Sequence, residues 1–205
     1  MLIVGLTGSI GMGKSTAAKH LRSLGIPVFD ADATVHALYA GAAVKPVEQA
    51  FPGTTRNGVV DRQALALALG GKSEAFRRLE AIVHPLVRAE QTVFLRAAHS
   101  DNSRFAVLEV PLLFETGLDG RVDVVILVSA PADVQRSRVL ARPGMTEEKF
   151  SHILSQQMDD SEKRRRADFV VDTVGSIEAS IAQLDTVLAE LPAREGGAFA
   201  SHWQK

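Results

Sequence analysis

The most constraining feature of this sequence is a glycine-rich octapeptide that directly follows a short apolar run near its start. The run Leu2–Leu6 has the length and composition of a buried strand, and residues 8–15 are GSIGMGKS. This octapeptide has the Walker A pattern, in which a glycine is followed by any four residues and then by glycine, lysine and serine. Glycines allow a sharp bend that brings N–H groups against phosphate oxygens, and the following helix contributes its positive end. The octapeptide therefore predicts a phosphate-binding loop.

Each polar position of this loop has a predicted role. Lys14 is expected to contact the β- and γ-phosphates of ATP, the Ser15 hydroxyl to ligate Mg²⁺, and Thr16 to reach the α-phosphate. A glycine-rich turn that merely joins a strand to a helix is the alternative, and a Lys-Ser pair at the helix start disfavours it. The predicted ATP-binding residues are Gly8, Gly11, Met12, Gly13, Lys14, Ser15 and Thr16.

Composition narrows the class of protein further. The 205 residues are 46% hydrophobic and 23% charged, with a formal net charge of -1 and no cysteine. This length suits one α/β domain with insertions, and the charge gives no general attraction to nucleic acid or membrane surfaces. Without cysteine, disulfides and zinc-thiolate sites are excluded. The first apolar run is too short for a signal peptide or a membrane span. A cytoplasmic monomer or weak homo-oligomer is expected, with a small-molecule substrate and neither nucleic acid nor membrane as a partner.

The alternation of apolar runs with longer segments of helical spacing predicts the fold class. Five runs have the character of buried strands: Leu2–Leu6, Pro27–Phe29, Phe105–Val110, Val122–Val128 and Phe169–Val171. Helical patterns between them are typical of a parallel sheet covered by helices. The prediction is an α/β fold of the P-loop NTPase type, with a five-stranded parallel sheet flanked by helices.

Two intervals are too long for simple connections and predict insertions. Residues 33–103 are expected to form a helical domain, with Asp61 as an N-cap and Pro85 early in a later helix. Residues 142–166 form a smaller insertion, with a helix beginning near Thr146. The core then comprises residues 1–32, 104–141 and 167–191. Residues 193–205 contain Gly196-Gly197 and are predicted to be a flexible tail.

Charged residues near the predicted strand ends are candidates for phosphoryl-transfer chemistry. Asp30 and Asp32 follow the second strand, and two residues apart on an extended segment they would share one side. Asp32 is favoured as the group that orients the acceptor hydroxyl, and the alternative for either Asp30 or Asp32 is an N-cap or turn role. Glu109 is either part of a magnesium shell or a capped or solvated strand end. Arg138 and Arg142, four apart on one helix, are expected to neutralise phosphate charge unless they are simply exposed.

Taken in order, the motifs resemble those of the dephospho-coenzyme A kinase family over nearly the whole chain, to about Leu191. The resemblance rests on Gly5–Gly8 with Gly11–Thr16, Asp30–Asp32, Asp61-Arg62, His84-Pro85, Pro111–Glu115, Arg138 with Arg142, Gln157 with Lys163, Ala167-Asp168 and Gly175-Ser176. The Walker A loop is shared by many enzymes, whereas the order and spacing of the other motifs are specific.

The resemblance implies phosphorylation of the ribose 3′-hydroxyl of dephospho-CoA by ATP with Mg²⁺, the last step of coenzyme A biosynthesis. It implies that the insertion 33–103 binds the substrate and that 142–166 is a lid. The implied catalytic residues are Asp32, Lys14, Arg138 and Arg142. Those near the acceptor are Asp32, Arg62, His84, Pro85, Leu112, Leu113 and Phe114. Without the resemblance, His84 could be a helix-start histidine, and residues 112–114 would ordinarily be core.

One departure from the family pattern concerns the donor. The family usually has asparagine before the Gly-Ser near the C-terminus, and this chain has Thr173. An asparagine there could hydrogen-bond the adenine edge, whereas threonine offers a single hydroxyl, which leaves base specificity open. Two alternative functions stay open at this point. One is another small-molecule P-loop kinase; the other is a nucleotide-dependent switch, which the absence of an Asn-Lys-x-Asp sequence disfavours.

Overall fold

The computed structural model describes residues 1–204, which form two compact units. The first unit comprises Met1–Phe29 and the chain from Leu95 onward, and the second comprises Asp30–Phe94. The strands are β1 Leu2–Thr7, β2 Val28–Asp30, β3 Thr55–Arg56, β4 Val59–Val60, β5 Phe105–Glu109, β6 Val124–Ser129 and β7 Phe169–Asp172. The helices are α1 Lys14–Ser23, α2 Ala31–Leu38, α3 Val44–Ala50, α4 Arg62–Leu69, α5 Ser73–Ser100, α6 Ala132–Leu140, α7 Glu147–Ser155, α8 Asp160–Arg166 and α9 Ile177–Glu190.

A five-stranded sheet in the order β2-β5-β1-β6-β7 confirms the predicted fold class. Strand β1 is central and pairs in parallel with β5 and β6, and β6 pairs in parallel with β7. Every residue of β1 and β6 is buried, because helices cover the sheet. All five predicted strands are present, with bounds shifted by at most two residues.

Strand register brings the carboxyl ends of the strands to one edge of the sheet. Leu6 lies opposite Glu109, the last residue of β5, and Thr7 lies opposite Leu127 in β6. Ser129, the last residue of β6, lies opposite Asp172 at the end of β7. In open α/β sheets this edge is where ligands bind, so the register decides which side chains meet there.

The second unit contains α2–α4, most of α5, and a two-stranded hairpin that the sequence reasoning missed. Asn57 and Gly58 both have positive φ, as a tight two-residue hairpin turn requires. Asp61 caps α4, as predicted, by accepting hydrogen bonds from the N–H groups of Gln63 and Ala64, both at 3.0 Å. The backbone bond to Ala64 is the main reason that the pKa of the Asp61 carboxyl is lowered.

The predicted position of Pro85 near a helix start is wrong. Pro85 lies inside α5, a helix of 28 residues, and only the carbonyl of Ala81 loses its helical N–H donor there. Apolar residues on both sides of the proline, among them Leu79 and Leu86, pack against the core of the second unit. Continuous packing of the helix face therefore outweighs the loss of one backbone hydrogen bond.

The C-terminal segment is not the flexible tail that the sequence predicts. Phe199 and Trp203 are buried, and the Trp203 indole N–H donates to the Arg121 carbonyl at 2.9 Å. The Asp123 carboxylate accepts hydrogen bonds from the N–H groups of Gly197 at 2.6 Å and Ala198 at 2.8 Å. These contacts fix the C-terminal segment to the first unit, although its sequence has little helical or strand periodicity. The segment docks because its two aromatic side chains bury apolar surface there. Among the described residues, no helix has the length and hydropathy of a membrane span.

We expect Trp203→Ala to lower the free energy of unfolding by about 3 kcal/mol, because it removes a large, fully buried side chain and its hydrogen bond. Chemical denaturation would measure the change. His202→Ala, at the exposed neighbouring position, is the matched control and is expected to unfold like the parent chain. Equal denaturation midpoints for Trp203→Ala and the parent would contradict the docked C-terminus.

Candidate active site

The glycine-rich loop joins the central strand β1 to α1 and lies against the end of β6. A Cβ at Gly8 would come within 2.5 Å of a Val128 side-chain methyl and 2.7 Å of the Val128 carbonyl oxygen. Gly13, immediately before α1, has a φ of +90°, which side-chain-bearing residues rarely adopt. Both glycines are therefore required by geometry, one for a close approach and the other for a left-handed turn.

The loop presents backbone N–H groups that no protein group satisfies. The N–H of Ile10 donates to Gln157 Oε1 at 3.2 Å, and that of Met12 donates to the Ser9 carbonyl at 3.1 Å. Within residues 1–204, the N–H groups of four loop residues at or near the start of α1 have no hydrogen-bond partner: Gly11, Gly13, Lys14 and Ser15. Unpaired N–H groups at a helix N-terminus form an anion-binding site, because the helix dipole adds positive potential there.

Neighbouring elements fix the loop from outside. The Gln135 side-chain amide, on α6, donates to the Ile10 carbonyl at 2.8 Å, while Gln157 binds the Ile10 N–H. The Met12 side chain is buried, and its sulfur accepts a hydrogen bond from the N–H of Ala130 just after β6. Sequence reasoning did not identify Gln135, since a lone glutamine on a helix gives no signal of its contact.

A buried carboxylate links the loop to the end of β5. Glu109 is 3% exposed, and its two oxygens lie 2.8 Å from Lys14 Nζ and 2.9 Å from an Arg22 guanidinium nitrogen. The interpretation of Glu109 as a solvated strand end is therefore wrong. Burying this charge requires cationic partners, and two are supplied. Sequence reasoning did not identify Arg22 as a partner of Glu109. Its position eight residues after Lys14, on the same side of α1, could have indicated this role.

The two predicted catalytic arginines do not share a helix face. Helix α6 ends at Leu140, and Arg142 lies exposed beyond it, because the following Pro143 disfavours helical backbone at Arg142. Arg138 instead turns toward the residue after β7. Its guanidinium donates to the Thr173 hydroxyl at 3.1 Å and also to the Thr173 carbonyl. Arg138 thus lies in the first unit, tied to the element that supports the loop.

Asp30 and Asp32 differ from the predicted extended pair. Helix α2 begins at Ala31, and the Asp30 carboxylate caps it by accepting from the Ala33 N–H at 2.9 Å. The N-cap alternative for Asp30 is confirmed. Asp32 lies exposed in the first turn of α2, so the two side chains are not on one side of an extended strand.

The other predicted acceptor-side residues of the second unit are exposed. Arg62 is the first residue of α4, and its charge acts on Tyr39 at the end of α2. Burial raises the pKa of the Tyr39 hydroxyl, and Arg62 opposes that rise. His84 and Pro85 are exposed neighbours well inside α5, so the interpretation of His84 as a helix-start residue is wrong.

The segment after β5 is mostly core. Leu113 is fully buried, and a Cβ at Gly5 would meet its side chain at 2.5 Å. Phe114 is 4% exposed, with the Arg166 guanidinium carbon 4.8 Å from its ring centroid. Leu112 is only partly buried. Of the three predicted substrate contacts here, Leu112 alone keeps appreciable exposed surface.

The predicted lid contains α7 and α8, and its base is held by a buried lysine. Lys163 is 0% exposed, and its ammonium nitrogen lies 2.9 Å from Glu115 Oε1, at an angle outside hydrogen-bond geometry. The same Glu115 oxygen accepts the Met158 N–H at 2.7 Å. Closure of residues 142–166 over ATP stays a prediction.

Oxygen donors for Mg²⁺ are few. In residues 1–204 no cluster of three or more His, Cys, Asp or Glu side chains could enclose a metal ion. Ser15 is exposed in the first turn of α1, beside the unpaired N–H groups. One hydroxyl beside a phosphate site suits Mg²⁺, which keeps several waters and binds largely through substrate phosphates.

A phosphate-binding loop between the central strand of a parallel sheet and a helix defines a P-loop protein, and comparison with known proteins assigns its family. Residues 2–179 match the family profile described as Dephospho-CoA kinase. The Dephospho-CoA kinase of Mesorhizobium japonicum is 55% identical over 196 residues, covering 96% of this chain and 100% of the relative. The chain belongs to the dephospho-CoA kinase family, as its motifs predict.

Solved structures agree with this assignment. Dephospho-CoA kinase from Campylobacter jejuni is 26% identical with a TM-score of 0.70, covering 92% of this chain and 96% of that one. A Thermus thermophilus protein is 39% identical with a TM-score of 0.80, covering 93% of this chain and 97% of that one. The fold and the family are therefore both established.

We expect Gly8→Ala to weaken ATP binding about tenfold or more, because the added methyl overlaps the Val128 carbonyl and displaces the loop. Calorimetric titration of ATP would measure the dissociation constant, and circular dichroism would check the fold. Gly120→Ala is the matched control, since a Cβ there meets no atom within 4 Å. Unchanged ATP affinity in folded Gly8→Ala would show that the close approach to β6 does not position the loop.

Proposed function

We propose that this protein transfers the γ-phosphoryl group of ATP to the ribose 3′-hydroxyl of dephospho-CoA, giving coenzyme A and ADP. Family membership supports the substrate and the reaction. The structural observation that carries the donor half is the set of four unpaired N–H groups at the start of α1, beside Lys14. They suit the phosphate chain of ATP, which needs several donors at one helix end.

The transfer forms a bond between the acceptor oxygen and the γ-phosphorus and breaks the bond from that phosphorus to the β–γ bridging oxygen. The loop N–H groups and Lys14 would hold the phosphates and offset the charge that develops on the leaving ADP. Ser15 is the residue proposed to hold Mg²⁺, which would supply positive charge that offsets the charge of the phosphates. Arg138 and Arg142 are proposed to add positive charge near the transferred group.

Asp32 is proposed to orient the acceptor hydroxyl and take its proton. Its exposed place in the first turn of α2 leaves the carboxylate accessible to a substrate. Arg62, His84, Pro85 and Leu112 are proposed to contact dephospho-CoA, whereas Leu113 and Phe114, the other two predicted contacts, are buried. A cytoplasmic monomer or weak homo-oligomer that acts on small molecules, without nucleic-acid or membrane partners, completes the proposal.

The decisive experiment is a coupled assay of ADP release with dephospho-CoA, compared with a panel of nucleosides and nucleotides. We expect release that depends on dephospho-CoA and a product carrying a new 3′-phosphate, identified by mass spectrometry. Lys14→Ala is the control for background ATP hydrolysis. Turnover with nucleosides alone would replace this proposal with another small-molecule kinase.

We expect Asp32→Ala to lower kcat at least about a hundredfold while the dissociation constant of ATP stays nearly unchanged, because it removes the base and not the phosphate site. Steady-state kinetics and calorimetric titration would separate the two effects. Asp101→Ala, an exposed aspartate of the first unit, is the control and should behave like the parent chain. Near-normal kcat would remove Asp32 from the mechanism.

A further inference from the structure

Thr173, the first residue after β7, is buried beneath the phosphate-binding loop. It is 7% exposed, and its backbone N–H donates to the Ser129 carbonyl at 2.9 Å, which extends the pairing of β6 with β7. Its hydroxyl oxygen lies 3.1 Å from the Met12 carbonyl and 3.2 Å from the Ser129 carbonyl. Arg138 Nη1 donates to the same oxygen at 3.1 Å.

The one donor proton of the Thr173 hydroxyl is already used. A threonine hydroxyl has one proton to donate, and here two carbonyl oxygens share it, while the Arg138 guanidinium occupies an acceptor position. Donating to the adenine edge would require breaking these hydrogen bonds in a buried place, which leaves partners unsatisfied. The geometry therefore argues against the adenine-reading role that the sequence left open.

The methyl group of Thr173 also faces the loop. A Cβ at Gly13 would lie 3.4 Å from Thr173 Cγ2, so this methyl is directed at the residue that turns the loop into α1. The hydroxyl binds the carbonyl of the Met12–Gly13 peptide, and the methyl faces the Gly13 side of the same peptide unit.

The hydrogen bond from Thr173 to the Met12 carbonyl sets the direction of the Gly13 N–H, which can donate a hydrogen bond to phosphate. In a trans peptide the C=O and N–H bonds point in opposite directions, and the structure contains no cis peptide bond. Anchoring the Met12 carbonyl on Thr173 therefore aims the Gly13 N–H away from β7. That N–H is one of the four without a protein partner.

We propose that Thr173 is a positioning residue for the donor phosphates. Its hydroxyl orients the Met12–Gly13 peptide so that the Gly13 N–H meets a phosphate oxygen, and it holds Arg138 beside the loop. This inference rests on the proposed use of a triphosphate donor. It concerns phosphate affinity, which can be measured without dephospho-CoA.

Thr173→Val and Thr173→Ser separate the hydroxyl from the methyl. Valine keeps the shape and removes the hydrogen bonds, and we expect it to weaken binding of Mg²⁺–tripolyphosphate and of ATP by the same factor, about tenfold. Serine keeps the hydroxyl and is expected to stay within about twofold of the parent chain. Tripolyphosphate has no base, so equal losses for both ligands identify a phosphate effect.

Kinetics give a second readout that a general structural role would not produce. We expect Thr173→Val to raise KM for ATP and for GTP by the same factor and to leave KM for dephospho-CoA unchanged. Thr186→Val is the matched control: Thr186 is exposed on α9, where its hydroxyl only bonds the Ala182 carbonyl one turn back. It should change neither binding nor kinetics.

Three outcomes would overturn the proposal. A changed ratio of ATP to GTP efficiency, with tripolyphosphate binding intact, would assign base reading to Thr173. Parent-like phosphate affinity in Thr173→Val would show that the hydroxyl is dispensable. A tenfold loss in Thr173→Ser, which keeps the hydroxyl, would show that the methyl rather than the hydroxyl carries the effect, and it decides the question even if the valine variant does not fold. Failure of dephospho-CoA as a substrate would leave the tripolyphosphate result unaffected.

Discussion

The parallel pairing of β1 with β5 on one side and β6 on the other is the constraint on which the site depends. Because the three strands run in the same direction, their carboxyl ends lie side by side, and the loop that leaves β1 meets residues from both neighbours. Glu109 at the end of β5 reaches Lys14, and the end of β6 packs against Gly8. A different strand order would leave the same octapeptide without its supports.

The balance of charge follows from that arrangement. A carboxylate as buried as that of Glu109 is stable only with cations close by, and Lys14 and Arg22 supply them from one helix. Lys14 therefore serves two anions, Glu109 in the protein and the phosphates proposed to bind the loop. Because Glu109 restrains the Lys14 side chain beside the loop, less rotamer entropy has to be lost when phosphate binds.

The sequence predicted those features that depend on interactions between residues close together in the chain. Strand positions followed from apolar runs, and Asp61 and Asp30 cap helices because a carboxylate can accept the N–H groups of a first turn. Predictions failed where distant packing decides. Pro85 stays inside α5 because both flanks of the helix are packed, and Phe199 and Trp203 dock because the first unit offers apolar surface. Arg138 and Arg142 lost their shared face because α6 ends between them.

The sequence by itself determined the phosphate-binding loop, the α/β class and the family, because each depends on residue types at fixed spacings along the chain. Only the tertiary structure decided how the loop is held: Gln135, Arg22 and Thr173 are 125, 87 and 161 residues from the loop or strand residues they bind. No local pattern records such contacts. They arise when parallel strands bring their ends together, and burial then favours arrangements in which the polar side chains there find partners.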